Sequence, residues 1–159
     1  MNDLLKANML IKKEIIINSD VKKVWKIFCR LEGWPKWGGY IIDARWVFGG
    51  KWKKGSQFLQ LVKGFGVIKQ LKSKPKVLEV KNYNTIKWAG TRKFIKGTHI
   101  FKFEKIGDKT KVTNAENFTG LLAPVIFPLI KNKFNMYFEQ FLNGLKKEAE
   151  KQKINKLYK

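Results

Sequence analysis

Residues 97–130 read GTHIFKFEKIGDKTKVTNAENFTGLLAPVIFPLI, and this stretch decides the fold. On either side of Gly107-Asp108 the apolar residues alternate with a period of two, the pattern of two strands joined by a tight turn. Past Gly120 the spacing becomes three and four. Phe127, Ile130, Phe134, Phe138, Phe141, Leu145 and Ala149 form one stripe, which predicts a helix from about Val125 to Lys153 and a frayed tail over 153–159. Strand alternation puts His99 on one face with Phe101 and Phe103. Val112, Asn114, Glu116 and Phe118 form the matching face of the next strand, so the turn register brings His99 and Glu116 near each other. A helix laid across such a sheet encloses a space with apolar walls and a few polar groups, the ordinary design of a small-molecule pocket.

Upstream, residues 10–17 (LIKKEIII) predict a first strand with Ile11, Ile15 and Ile17 on one face. Ser19 or Asp20 can cap the helix that follows, whose buried stripe is Val21, Val24, Trp25, Phe28 and Leu31. Gly33-Trp34-Pro35 ends that helix, and Pro35 opens a short second one carrying Trp37. From Ile41 the period is two, with Ile42, Ala44, Trp46 and Phe48 on one face. Strands are then expected over 57–63, over 67–81 with an interruption at Pro75, and over 85–89, with 90–97 as a basic loop. Gly144 inside the last helix points to close packing there, or to room left beneath it. The order is strand, two short helices, six strands and a long helix. Short turns between strands make the sheet antiparallel and the class α+β.

The chain has 159 residues, which is most simply one domain, 1–159, with no repeat or linker. The lone cysteine, Cys29, sits in a helical apolar pattern and is read as packing; the composition suits the cytoplasm. No signal peptide is visible, and the longest uncharged apolar run, Leu121–Ile130, is ten residues and too short to span a bilayer, so a soluble protein is expected. Thirty-four basic residues against twelve acidic ones give a net charge of +22. Such a charge attracts polyanions: nucleic acid, an anionic membrane surface or an acidic partner protein. Only Arg30, Arg45 and Arg92 are arginines, so the contact expected is weak and nonspecific, without specific nucleic-acid readout. Lys51, Lys53 and Lys54 around Trp52 have the composition of such a contact, but a solvated loop with one packed tryptophan explains them better.

The order of elements and several motifs resemble the SRPBCC superfamily of START-like, Bet v 1-like and polyketide cyclase/dehydrase-like proteins. The matching pieces are IIINSDVKKVWKIFCRLEGWPKW (15–37), GTHIFKFE (97–104), DKTKVTNAENFTG (108–120) and FEQFLNGLKKEAE (138–150). The resemblance runs from about residue 10 to 150. It implies a helix-grip fold: a curved seven-stranded antiparallel sheet around a long C-terminal helix, two short helices after the first strand, and a deep cavity between. It implies no single activity, since similar proteins include lipid carriers, metabolite binders and aromatic polyketide cyclases.

His99 and Glu116 are the candidate catalytic residues. In a low-dielectric cavity the carboxylate would fix the imidazole tautomer and leave one ring nitrogen for a ligand, either as an acid/base pair or as a polar anchor. The candidate ligand-binding residues are Trp37, Trp46, Phe58, Trp88, His99, Phe101, Asn114, Glu116, Phe118, Phe134 and Phe138, although core packing competes for each aromatic ring. No metal site is expected, because a zinc site needs several His or Cys ligands and the chain has one of each. No cofactor is called for: Gly38-Gly39 and Gly49-Gly50 lack phosphate-loop spacing, and no GxSxG turn is present. The first expectation is a noncatalytic carrier of a hydrophobic small molecule, a lipid or a polycyclic aromatic metabolite. The alternatives are a cyclase, dehydratase or hydrolase using the same cavity, and a lysine-rich module on polyanions. The sequence leaves the oligomeric state open.

Overall fold

The computed structural model describes residues 9–92 and 94–157, with side chains for all of these except 92 and 152–157. The elements are β1 (Leu10–Ile17), α1 (Val21–Cys29), a 3-10 turn (Leu31–Gly33), α2 (Trp34–Trp37), β2 (Ile41–Phe48), β3 (Gln57–Lys63), β4 (Gln70–Ser73), β5 (Lys76–Lys81), β6 (Thr85–Arg92), β7 (Ile95–Ile106), β8 (Lys109–Thr119) and α3 (Ala123–Leu157). The sheet is antiparallel, in the order β1-β8-β7-β6-β5-β3-β2, and β4 adds to β3. This is the expected curved seven-strand path with the long C-terminal helix across it, plus one short strand.

The turn at Gly107 (φ 59°) is two residues long, pairing Ile106 with Lys109 and fixing the whole β7–β8 register. His99 therefore lies opposite Glu116, Phe101 opposite Asn114 and Phe103 opposite Val112. Asp20 caps α1, its Oδ1 accepting from Lys23 N at 3.1 Å. Val24, Trp25 and Phe28 of α1 are buried against the sheet.

Four local readings change. The strand expected over 67–81 begins only at Gln70, after a turn closed by Gly64 N donating to Lys69 O at 2.8 Å, and it splits at Pro75. Pro75 lacks an N–H, so the ladder breaks there: β4 stays with β3, and β5 crosses to pair with β6. The loop expected over 90–97 is a ladder instead, with Gly90 opposite Gly97. In β2 a register shift between Ile41 and Asp43 buries Ile41 and turns Ile42 outward, and Phe48 is exposed at the strand end. The helix α3 starts two residues earlier than expected and continues to Leu157, through most of the stretch read as frayed; Tyr158 and Lys159 lie outside the described residues.

The face of α3 toward the sheet carries Ile130, Phe138, Phe141, Leu145 and Ala149, all buried, while Phe127 and Phe134 are half-buried. Gly144 is explained by close packing, because a Cβ there would collide with the Trp37 carbonyl oxygen. Pro128 stands inside the helix and removes one backbone donor near its start. No helix among the described residues is long and apolar enough to cross a membrane.

Candidate functional site

The concave face of the sheet is covered in two different ways along the same strands. Toward the C-terminal end of β7, Phe101 and Phe103 lie under Phe28 of α1, at ring-centroid distances of 4.7 and 5.2 Å. Trp34, Trp52, Phe58 and Phe141 extend this cluster into a continuous aromatic core. Toward the N-terminal end of β7, α1 no longer reaches, and the face carries Gly97 and Gly90 side by side. Two opposed positions without side chains lower the floor of the sheet. Above that floor lies a cavity of about 660 Å³, closed by the first turns of α3 and by the turn between β3 and β4.

The cavity wall is apolar over most of its area. Trp88, Phe118, Phe134 and Phe138 supply rings, and Val62, Leu71, Ile95, Ile126 and Ile130 supply aliphatic surface. Its opening follows from Pro75. Beyond Ala89, β6 pairs only with β7, and β4 has turned away with β3, so the sheet parts between Leu71–Pro75 and Gly90–Thr91.

One polar cluster lies at the inner end, while Gln60, Lys72, Ser73, Lys74 and Thr91 line other parts of the wall. His99 is held between rings, with Trp88 at 4.7 Å, Phe138 at 5.0 Å and Phe101 at 5.1 Å. Its Nε2 donates to Asn114 Oδ1 at 2.5 Å, so Nδ1 is the acceptor and faces Glu116 Oε2 at 3.5 Å. Asn114 is fully buried, and among the described residues its Nδ2 has no partner. Gly97 makes room for the carboxyl, since a Cβ there would collide with Glu116 Oε1. Burial drives the His99 imidazole down to about 4, against the raising effect of Asn114, and drives the Glu116 carboxyl up to about 8. Around neutral pH the contact is therefore between a neutral imidazole and a protonated carboxylic acid. It is not an ion pair. Tyr40 stands at the same end, its ring stacked on Tyr137 at 4.4 Å, and its hydroxyl is held un-ionised by burial and, once Glu116 ionises at higher pH, by that charge. The Tyr137 hydroxyl donates to Lys63 O and Gly64 O at 2.9 Å, tying α3 to the β3–β4 turn.

The expectation that His99 keeps a ring nitrogen for a ligand does not fit this geometry, because both nitrogens face protein groups. Glu116 and His99 both line the cavity, with the fully buried Asn114 behind them. Of the other residues singled out from the sequence, Trp88, Phe118, Phe134 and Phe138 line the cavity. Trp46, Phe58 and Phe101 lie in the aromatic core, where rings from α1 and the following loop already cover the sheet. Trp37 packs on Phe141 at 4.8 Å and faces a shallow groove on another side of α3, beside Lys36, Lys147 and Lys151. Trp52 is packed rather than free, its Nε1 donating to Cys29 O at 2.9 Å. Sequence reasoning missed Tyr40, Gly90 and Gly97. For the glycines the signal was present: Gly97 has the same strand parity as His99.

A family model described as "Polyketide cyclase / dehydrase and lipid transport" matches residues 10–150. The chain belongs to this family. Solved structures share the fold of this polyketide cyclase/dehydrase and lipid transport domain at low sequence identity. A START superfamily protein from Mycobacterium smegmatis is 18% identical, with a TM-score of 0.71 over 90% of this chain and 98% of the other. The Zhui aromatase/cyclase from Streptomyces sp. R1128 is 12% identical, with a TM-score of 0.73 over 90% and 94%. A norcoclaurine synthase point mutant from Thalictrum flavum, bound to a transition-state analogue, is 12% identical, with a TM-score of 0.71 over 91% and 95%. At these identities the likeness is one of fold: the helix-grip architecture of the SRPBCC superfamily. No curated protein matches the chain.

Proposed function

We propose that the protein binds a hydrophobic small molecule, a lipid or a polycyclic aromatic metabolite, in this cavity, with the polar end of the ligand against Glu116. One observation carries the reading: a space of about 660 Å³ with mostly apolar walls holds a cluster of un-ionised polar groups around Glu116. That volume lies within the usual range of ligand pockets, about 300–1,000 Å³. A neutral carboxylic acid donates a hydrogen bond to a carbonyl or hydroxyl without the cost of burying a charge beside an apolar ligand. The family's description, which includes lipid transport, agrees with this choice of ligand.

The test is retention of ligand. Native mass spectrometry of gently purified protein should show a lipophilic adduct, or the protein should take up a fluorescent hydrophobic probe saturably. Gly90→Leu, which fills the floor where only Pro75 Cβ stands near, at 3.9 Å from the new Cβ, should abolish uptake while leaving the fold intact. A wild-type protein that carries nothing and binds no probe sinks the proposal.

A second reading has its own support. Two titratable groups displaced in opposite directions inside one cavity are what acid–base catalysis requires, and the aromatase/cyclase among the structural neighbours acts within the same fold. Here Glu116 would donate its one proton to a ligand carbonyl instead of to His99 Nδ1, the acceptor that faces it. Glu116→Gln should then keep probe binding and lose turnover of the bound molecule; a variant that retains turnover excludes Glu116 from the chemistry.

A further inference from the structure

The most exposed large apolar side chains of the described residues are not scattered. Val67 is 99% exposed, Leu121 80%, Leu129 75% and Val125 67%. All four lie on the two segments that close the cavity: Val67 at the tip of the β3–β4 turn, the others at or just before the start of α3. Phe94, exposed at the tip of the β6–β7 hairpin, adjoins them, because its carbonyl accepts from Leu122 N at 3.3 Å and a Cβ at Gly120 would strike that same carbonyl oxygen. Phe65, on the β3–β4 turn, packs into the same cluster as Ile126 and Phe134, which brings the three segments to one rim. Single exposed apolar residues mean little on a protein surface, but a group of them beside a cavity is a contact surface.

The charge on these segments has one sign. Residues 63–76 hold five lysines, residues 91–98 hold three basic residues, and residues 117–133 hold two lysines, and none of the three stretches contains an aspartate or glutamate. Lys63, Lys69, Lys72, Lys74, Lys96 and Lys131 are exposed. Apolar tips with a lysine collar behind them match the layering of an anionic bilayer, in which acyl chains lie under phosphate groups. An acidic protein partner would satisfy the lysines, but it gives no reason for apolar tips on three separate segments to gather beside an apolar cavity.

We infer that this rim docks on the surface of an anionic phospholipid membrane, inserting Val67, Phe94, Leu121, Val125 and Leu129 at the interface, with the cavity opening toward the acyl region. The docked protein lies on the membrane without spanning it. Docking needs neither a bound ligand nor chemistry at Glu116, so it stands apart from the function proposed above.

Co-sedimentation with vesicles tests the inference, using phosphatidylcholine alone and phosphatidylcholine mixed with phosphatidylglycerol. The wild-type protein should bind the mixed vesicles and not the neutral ones, and less strongly as salt is raised, because screening shortens the reach of the lysines. Val67→Ser, Leu121→Ser and Val125→Ser combined should weaken binding to mixed vesicles by about tenfold or more, since each removes apolar surface from the interface. These three side chains do not line the cavity, so saturable probe uptake by the variant reports an intact fold and cavity. The inference is overturned if the wild type fails to bind mixed vesicles, if the triple variant binds them as well as the wild type does, or if binding is independent of salt. It is also overturned if the wild type self-associates without binding vesicles and the triple substitution makes it monomeric, because the rim would then be an interface between copies.

Discussion

The two halves of the concave face are made by the same strands and the same alternation, yet one is filled and the other is open. The filled half owes its state to a helix that lies across it: Phe28 of α1 meets Phe101, Phe103, Trp34, Trp52 and Phe141. The open half has the Gly90–Gly97 pair in the floor and the start of α3 as a distant roof. In a helix-grip fold, then, cavity and core compete for one surface. The outcome is decided by where the first helix stops and where the strands carry glycine. Stability and binding accordingly belong to different ends of one sheet.

The largest effect expected from this division is in the filled half. Phe28→Ala should cost about 3–5 kcal/mol in denaturant melts, as ring deletions in packed cores do. Phe134→Ala, on the cavity wall and half-buried, should cost less than half as much. Equal losses would erase the distinction between the halves.

The next effect concerns the polar end of the open half. Glu116 is raised from 4.5 to about 8, so the folded state holds its proton after the unfolded chain has released it. The stability it contributes is whole below about 4.5 and is lost as pH rises toward 8. His99 is lowered from 6.5 to about 4, so its contribution is whole above 6.5 and is lost as pH falls toward 4. Glu116→Gln removes the first slope only. The stability of the variant relative to wild type should therefore rise by about 3 kcal/mol between pH 5 and 8 and then level off, as followed by melts across that range. A difference that does not change with pH would mean that the carboxyl is ionised and solvated, and the open half would lose its un-ionised polar end.

The smallest effect is local. Gly97→Ala should cost about 1–2 kcal/mol, because the new methyl displaces the Glu116 carboxyl. In a Glu116→Ala background the same change should cost almost nothing, a coupling that a double-mutant cycle measures. Additive losses would show that Gly97 serves the backbone and not the carboxyl.

The residues at the site were legible in the sequence because a two-residue turn transmits register without error. Gly107-Asp108 was enough to set His99 against Glu116 across the β7–β8 ladder. The helical stripe of α3 was legible for a similar reason, since its spacing is local. What could not be read was which end of a correctly assigned face would be covered. Phe58 and Phe101 have the parity of wall residues, but they lie where Phe28 and Trp34, distant in sequence, have already filled the space. Gly90 and Gly97 read as loop residues in the sequence, because glycine in a basic stretch has the composition of a turn. Their pairing appears only once β6 and β7 are seen to continue through them. The role of His99 changed for a comparable reason: alternation gives the face of a side chain, and the partner of each ring nitrogen depends on Asn114 in the next strand.

Pro128 gives α3 two parts with different fates. Without its N–H, the carbonyl of Pro124 loses the donor that would bind the first turn to the rest of the helix. Beyond the break, Phe138, Phe141 and Leu145 anchor the helix in the core, whereas before it Val125 stands in the open. The near end of the cavity roof is thus joined to the clamped far end by one backbone bond fewer. A ligand of the kind proposed would exchange through a local opening there, far faster than the whole chain unfolds.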